Sequence, residues 1–156
     1  MNHTRLIGVI SDTHGLLSPQ AVQALQGSEL ILHAGDVGKP EVLDRLRDIA
    51  PVVAVRGNVD HSTWAQRLPR TQTVEIGKYC LYVIHNLDDL TTDPATNGLS
   101  AVISGHSHRP SIVRKNGVLY LNPGSGGPRR FNLPISVALL KVSDNQIEAE
   151  LVELHM

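Results

Sequence analysis

The amino-acid sequence predicts an α/β fold in which two facing, mixed β-sheets carry helices on their outer sides. Three observations lead there. Short apolar runs alternate with amphipathic helical segments over residues 5–56. From residue 71 onward, turn-bounded strand pairs dominate instead. The chain has 156 residues, 41% of them hydrophobic, and shows no linker, internal repeat or low-complexity tract, so one domain spanning 1–156 can bury a substantial core.

Each element has a local reason. Residues 5–11 are an apolar run that reads as a strand. Residues 19–26 read as a helix, with Ser18 as cap, Pro19 at the first helical position and Gly27 as terminator. Residues 29–34 form the second strand. Residues 40–49 form a helix whose apolar stripe is Val42, Leu46 and Ile49, widened by Leu43 and stopped by Pro51. Residues 51–56 are the third strand, and this alternation implies parallel strands joined by right-handed crossovers. Residues 71–76 and 79–84 pair as a hairpin across Gly77-Lys78. The polar stretch 87–99 carries one short helical turn, and 101–104 is a buried strand. Residues 111–114 and 118–121 form a hairpin across Asn116-Gly117, the strongest turn signal in the chain. Residues 134–142 and 146–154 pair across Ser143-Asp144-Asn145. The second half is thus expected to be mostly antiparallel.

Composition removes several function classes. A net charge of −1 and an aromatic content of 3% disfavour an extended nucleic-acid partner. No stretch approaches the length of a membrane span, and the apolar run before Ser11-Asp12 is too short for a signal peptide. The lone Cys80 cannot form an internal disulfide and reads as a small buried apolar residue; a cytoplasmic protein is the expectation. A phosphate-cradling G-x-x-x-x-G-K-[ST] loop is missing, which leaves a nucleotide-driven motor or kinase without support.

Histidine is the compositional oddity. There are eight, at positions 3, 14, 33, 61, 85, 106, 108 and 155. His3 and His155 are near the termini and receive no role. The others cluster at predicted strand ends, alongside Asp12-Thr13-His14, Gly35-Asp36, Gly57-Asn58-Val59-Asp60 and Gly105-His106-Ser107-His108. Singly, these motifs have ordinary explanations. Asp12 and Asp36 can cap the turns that follow them, Gly57-Asn58 is common turn chemistry, and a lone His85 ending a strand is most often structural. Two imidazoles at i and i+2 after a buried strand are more specific. In extended chain, Asp12 and His14, or His106 and His108, share a side and can reach neighbouring cations. Carboxylate, imidazole and amide donors gathered at strand ends are what a pair of divalent metal ions requires.

In the order D-x-H, GD, GN, H, GHxH, the motifs make the chain resemble the calcineurin-like metallophosphoesterase superfamily. The likeness is to its small single-domain bacterial and archaeal phosphodiesterase branch. It covers nearly the whole chain and extends to Asn122-Pro123-Gly124-Ser125. The resemblance implies a four-layer α/β/β/α sandwich. It implies that Asp12, His14 and His108 hold one metal, that Asn58, His85 and His106 hold a second, and that Asp36 bridges the two. Asp36 and Asn58 would then belong to the catalytic machinery, with Asp60 orienting a neighbour. Two departures stand out. Val59 occupies a place where many relatives have His or Cys, with His61 near enough in sequence to substitute in protonating the leaving group. Where relatives often continue His-Gly-His, this chain reads His85-Asn86-Leu87.

The implied function is hydrolysis of small phosphodiesters by a hydroxide bridging two metal ions. Manganese is the leading expectation, with iron, zinc, cobalt or nickel compatible with a donor set that lacks thiolate. Two divalent ions set against Asp12, Asp36 and a hydroxide leave about one positive charge, which a diester anion neutralises. Arg129 and Arg130 can add positive charge but also suit a solvated loop, so a monoester remains open. The partner is then a small phosphoester, without membrane, and a homo-oligomer is left open. A nuclease and a non-catalytic scaffold, like the retromer subunit that resembles this fold, are the competing classes.

Overall fold

Residue patterning places ten strands in two five-stranded sheets, described by a computed structural model for residues 4–155; His3 lies outside the described residues. The first sheet contains β1 (Arg5–Ile10), β2 (Leu30–His33), β3 (Val52–Ala54), β9 (Ser136–Val142) and β10 (Ile147–Glu153). Its order is β10-β9-β1-β2-β3, parallel through β1, β2 and β3 and antiparallel where β9 and β10 join. The second sheet contains β4 (Thr71–Ile76), β5 (Tyr79–Ile84), β6 (Ala101–Ile103), β7 (Ser111–Lys115) and β8 (Val118–Asn122), in the order β4-β5-β6-β8-β7.

Every expected strand forms, with ends shifted by a residue or two. The second half is mostly antiparallel as expected, through β4–β5, β7–β8 and β9–β10, but it also holds a parallel core that the hairpin turns do not announce: β5, β6 and β8 run parallel to one another. The polar crossover between β5 and β6 makes this possible, because it is long enough to return the chain to the same end of the sheet. The β7–β8 turn fits its Asn-Gly signal: Asn116 and Gly117 have φ of 53° and 77°.

Alternation within strands divides the core in two. Ile7 and Val9 of β1 and Leu32 of β2 face Leu81, Val83, Ile103 and Leu121 of the other sheet. Ile10 and Ile31 face the opposite way, onto α1 (Pro19–Leu25) and α2 (Pro40–Arg47), through Ala21, Leu25, Val42, Leu43 and Leu46. Ser18 caps α1 as its sequence suggests, its Oγ accepting from Ala21 N–H at 3.1 Å. Gly8, mid-strand, lets α1 press close: a Cβ there would lie 2.8 Å from Leu25 Cδ2. The outer face of the second sheet is covered thinly. Ile84, Val102 and Val118 lie under Leu90 and Leu99, in a loop whose one regular element is the 3-10 turn Leu87–Asp89. The layer order is that of the sandwich, its fourth layer a loop and not an α-helix.

Candidate metal centre

Ligands collect at the carboxyl ends of parallel strands, where loops can converge without blocking the sheet. Here the loops after β1, β2, β3 and β6 and the end of β5 meet on one edge. Asp12 is wholly buried. Its Oδ2 accepts from Ser11 Oγ–H at 2.7 Å and from His106 N–H at 3.0 Å. Its Oδ1 has no hydrogen-bond partner and faces His108 Nε2 at 3.4 Å, with His14 Nε2 and His85 Nε2 each at 3.9 Å. His14 Nε2 and His108 Nε2 are 3.4 Å apart, their rings stacked.

Asp36 joins this group to the next. Its Oδ2 is 3.2 Å from His85 Nε2 and 3.6 Å from His14 Nε2, while Oδ1 accepts from Val59 N–H at 3.0 Å. His85 Nδ1–H donates to Ala34 C=O at 2.7 Å, which turns Nε2 toward the carboxylates. The Asn58 amide lies against His85 Nε2 at 3.0 Å and both Asp36 oxygens at 3.2 Å. With nitrogen inward it donates to them; with oxygen inward it faces acceptors alone, the orientation that ligation of a cation requires.

The electrostatics match. Burial opposes ionisation of Asp36, but the His85 hydrogen bond and charge and the Val59 N–H outweigh it, holding the carboxyl at about 2. Burial pulls His85 down, and the Asp36 contacts more than compensate, leaving it raised. His14 is lowered, burial outweighing the attraction of Asp36 and Asp12.

The backbone reaches these positions in an unexpected way. Extended chain was expected to align Asp12 with His14 and His106 with His108. Instead Asp12, His14, Asp36, His106 and His108 all have positive φ, between 48° and 72°. Left-handed backbone costs non-glycine residues about 1 kcal/mol or more each, and its concentration on five candidate ligands is characteristic of functional sites. It also separates the last pair. His108 is buried in the first group, whereas His106 is exposed, its ring edge-on to His85 at 5.3 Å, and joins neither close donor group among the described residues. The close groups are Asp12–His14–His108 and Asp12–Asp36–His85.

Supporting residues carry much of the geometry. Asp60, expected to orient a neighbour, is buried and does so through backbone amides. It accepts from Val37, Gly38 and Gly57 N–H at 3.1, 3.0 and 2.9 Å, tying the Asp36 loop to the Asn58 loop. His61 is exposed, and its ring makes no hydrogen bond to another described residue. His33 and Thr13 had been assigned nothing. Thr13 Oγ–H donates to Val37 C=O at 2.8 Å, so the same oxygen accepts from His33 Nε2–H at 3.0 Å; Gly35 N–H donates to His33 Nδ1 at 3.1 Å. The ring is thereby a neutral brace between the first two loops, and burial depresses its pKa to about 4. Asn122 donates to Gly105 C=O and accepts from Gly124 N–H, fixing the GHxH loop. Gly57 and Gly105 allow close contact: a Cβ at Gly57 would meet Asp36 Oδ1 at 2.2 Å, and one at Gly105 would meet Asp12 Oδ2 at 2.5 Å.

The donors suit divalent metal ions. A buried carboxylate oxygen without a proton donor, ringed by imidazole nitrogens, is costly in a dry interior, and a cation among them would relieve that cost. A cavity of 550 Å³ at the opposite strand ends, lined by Tyr79, Arg114 and Glu148 among others, contributes to neither donor group.

Comparison with known proteins shows the family. Residues 6–145 match the model of the calcineurin-like phosphoesterase superfamily domain. A probable metallophosphoesterase of Methanocaldococcus jannaschii is 39% identical over 166 residues, covering 97% of this chain and 82% of that protein. The phosphodiesterase YfcE of Escherichia coli is 30% identical over 162 residues, covering 88% and 86%. Vacuolar protein sorting 29 from Cryptosporidium parvum superimposes with a TM-score of 0.84 at 21% identity, over 97% of this chain and 92% of that one. No helix among the described residues is long and apolar enough to cross a membrane. The buried carboxylate–imidazole cluster therefore sits in a chain that belongs to the calcineurin-like phosphoesterase superfamily.

Proposed function

We propose that this chain hydrolyses small phosphodiesters using two divalent metal ions. Asp12, His14 and His108 hold one, while His85, Asn58 and His106 hold the other with Asp36 between them. The observation that carries this reading is the Asp12 Oδ1 atom, buried, unpartnered and within 3.9 Å of three imidazole nitrogens. Divalent ions held there would supply an acidified water as nucleophile and positive charge for the phosphoryl oxygens. The protein's own part is preorganisation. Ala34 C=O keeps His85 in the tautomer whose Nε2 points inward, and the Asp60 carboxylate keeps the Asp36 and Asn58 loops in register. Exposed His106 lies on the solvent side, where a substrate arrives. Val59 offers no proton to a leaving oxygen, and its apolar side chain is 42% exposed. His61, two residues on in sequence and exposed, is the imidazole assigned that role in this proposal.

The phosphodiesterase name of the Escherichia coli relative supports diesters over monoesters. Manganese as the ion and the cytoplasm as the compartment extend the same proposal. The fold likeness to vacuolar protein sorting 29 favours a second reading, a metal-loaded scaffold without turnover. Metal-free protein reconstituted with one ion at a time and assayed against diester, monoester and oligonucleotide substrates separates them. Turnover of small diesters, greatest with manganese, is expected. Two tightly bound ions with no turnover on any substrate would establish the scaffold instead.

A further inference from the structure

Beside the candidate metal centre lies a cavity of about 400 Å³ that the family motifs leave unused. His85 forms part of its wall, so it adjoins the donor cluster. Arg56 and Arg70 line it together, with Thr71, Tyr82 and Thr91 adding hydroxyl groups and Asp89 the one carboxylate. Neither arginine forms an ion pair among the described residues. Arg56 donates from one terminal nitrogen to the Gln66 amide oxygen, while its buried Nε has no partner. Arg70 and the hydroxyls of Thr71 and Tyr82 make no side-chain hydrogen bond to another described residue. Two guanidinium groups and three hydroxyls lining one cavity form a donor set with a net positive charge even against Asp89. Guanidinium groups match phosphate oxygens in both charge and fork geometry.

We propose that this cavity is an anion subsite, which takes a pendant phosphate of a phosphoester whose reacting phosphorus lies at the metal centre. The inference rests on the proposed function for the reacting phosphorus, and it narrows the substrate class to diesters bearing a second phosphate. Arg70, exposed and hydrogen-bonded to no other described side chain, is the residue to change; Arg56 also holds Gln66 and is less suitable.

The test compares thymidine 5′-(4-nitrophenyl phosphate) with its 3′-phosphorylated analogue on manganese-loaded full chain. Wild type should favour the analogue in kcat/KM by about tenfold, the worth of one good charge-assisted contact. Arg70→Gln should bring that ratio near one through KM, and Arg70→Lys should keep part of it. A second readout needs no turnover. Inorganic phosphate should raise the thermal midpoint of the metal-free protein, and Arg70→Gln should abolish the rise. Loss of that rise in a protein that hydrolyses neither ester would uphold the anion site while refuting the proposed function. Phosphate stabilisation through Arg70 with a wild-type ratio of one would mean that the cavity takes free phosphate, overturning the pendant-phosphate assignment. A ratio and a stabilisation both unchanged in Arg70→Gln would overturn the subsite altogether.

Discussion

Exchange of His33 for glutamine tests whether a buried neutral imidazole limits the acid stability of the metal-free protein. The ring is fully buried, and both its nitrogens are committed: Nε2–H donates to Thr13, and Nδ1 accepts from Gly35 N–H. A second proton would have to sit on Nδ1, aimed at that N–H. Its pKa falls accordingly from 6.5 to about 4, burial being the leading cause. Because the folded value lies below the unfolded one, the proton favours the unfolded chain. The stabilisation is complete above pH 6.5 and is lost as pH falls toward 4. Between pH 7 and pH 5 this linkage costs about 2 kcal/mol, approaching about 3 kcal/mol in stronger acid. For a domain of this size, 2 kcal/mol is about 4–8 °C in thermal midpoint. Glutamine can still donate to Thr13, but it leaves Gly35 N–H unpaired, so His33→Gln should lose about 1–3 kcal/mol at pH 7. Thermal denaturation followed by circular dichroism, with chelator at pH 7, 6 and 5, gives both numbers. The wild-type midpoint should fall by about 4–8 °C more than that of the variant across the range. Parallel pH profiles would refute the assignment of His33 as a neutral brace.

Four further outcomes follow from the same geometry. Asp60→Asn should cost about 1–3 kcal/mol, because an amide cannot accept from three backbone N–H groups as a carboxylate does; chemical denaturation measures this, and metal titration should show weaker binding. Gly57→Ala should impair metal binding by displacing the Asp36 loop, since its Cβ would press on both the Asp36 backbone nitrogen and Oδ1, and calorimetric titration with manganese checks it. Asp36→Asn should abolish hydrolysis while leaving the circular dichroism spectrum intact; wild-type turnover in the metal-supplied variant would remove Asp36 from the site. Rates should depend steeply on leaving-group pKa, because general-acid help worth about 10²–10⁴-fold has no donor at Val59. Val59→His should then speed alkyl diesters selectively, whereas a shallow wild-type dependence that steepens in His61→Ala would give the acid role to His61.

Much of the fold could be read from residue order because local signals agreed with one another. Ser18-Pro19 and Gly27 bracket α1, and Asn116-Gly117 adopts the two positive φ values its hairpin needs. The parallel pairing of β5, β6 and β8 was not legible. Hairpin turns announce antiparallel neighbours, whereas a parallel ladder depends on where a long polar crossover returns the chain, and its composition does not encode this. At the site, residue types and spacing give the ligand candidates but not the backbone path: alternation would require extended chain, whereas Asp12, His14, Asp36, His106 and His108 are left-handed. His106 shows the consequence, since its i, i+2 relation to His108 does not bring it into the same buried group. The braces were harder still. His33 and Asp60 act through backbone amides and a threonine hydroxyl in other loops, and sequence spacing does not report such partners. The one available signal for His33 is polarity at the end of an otherwise apolar strand, and for Asp60 its place in the Gly57-Asn58-Val59-Asp60 motif.

Metal stoichiometry and position bear most directly on the central claim. Protein stripped with chelator, reconstituted with manganese and crystallised should show two ions per chain. Asp36 should contact both, with Asp12, His14 and His108 around one and His85, Asn58 and His106 around the other. Elemental analysis of the same sample should give two equivalents. A manganese-soaked structure with no ion within coordination distance of Asp36, or a sample that retains no metal, would contradict the account.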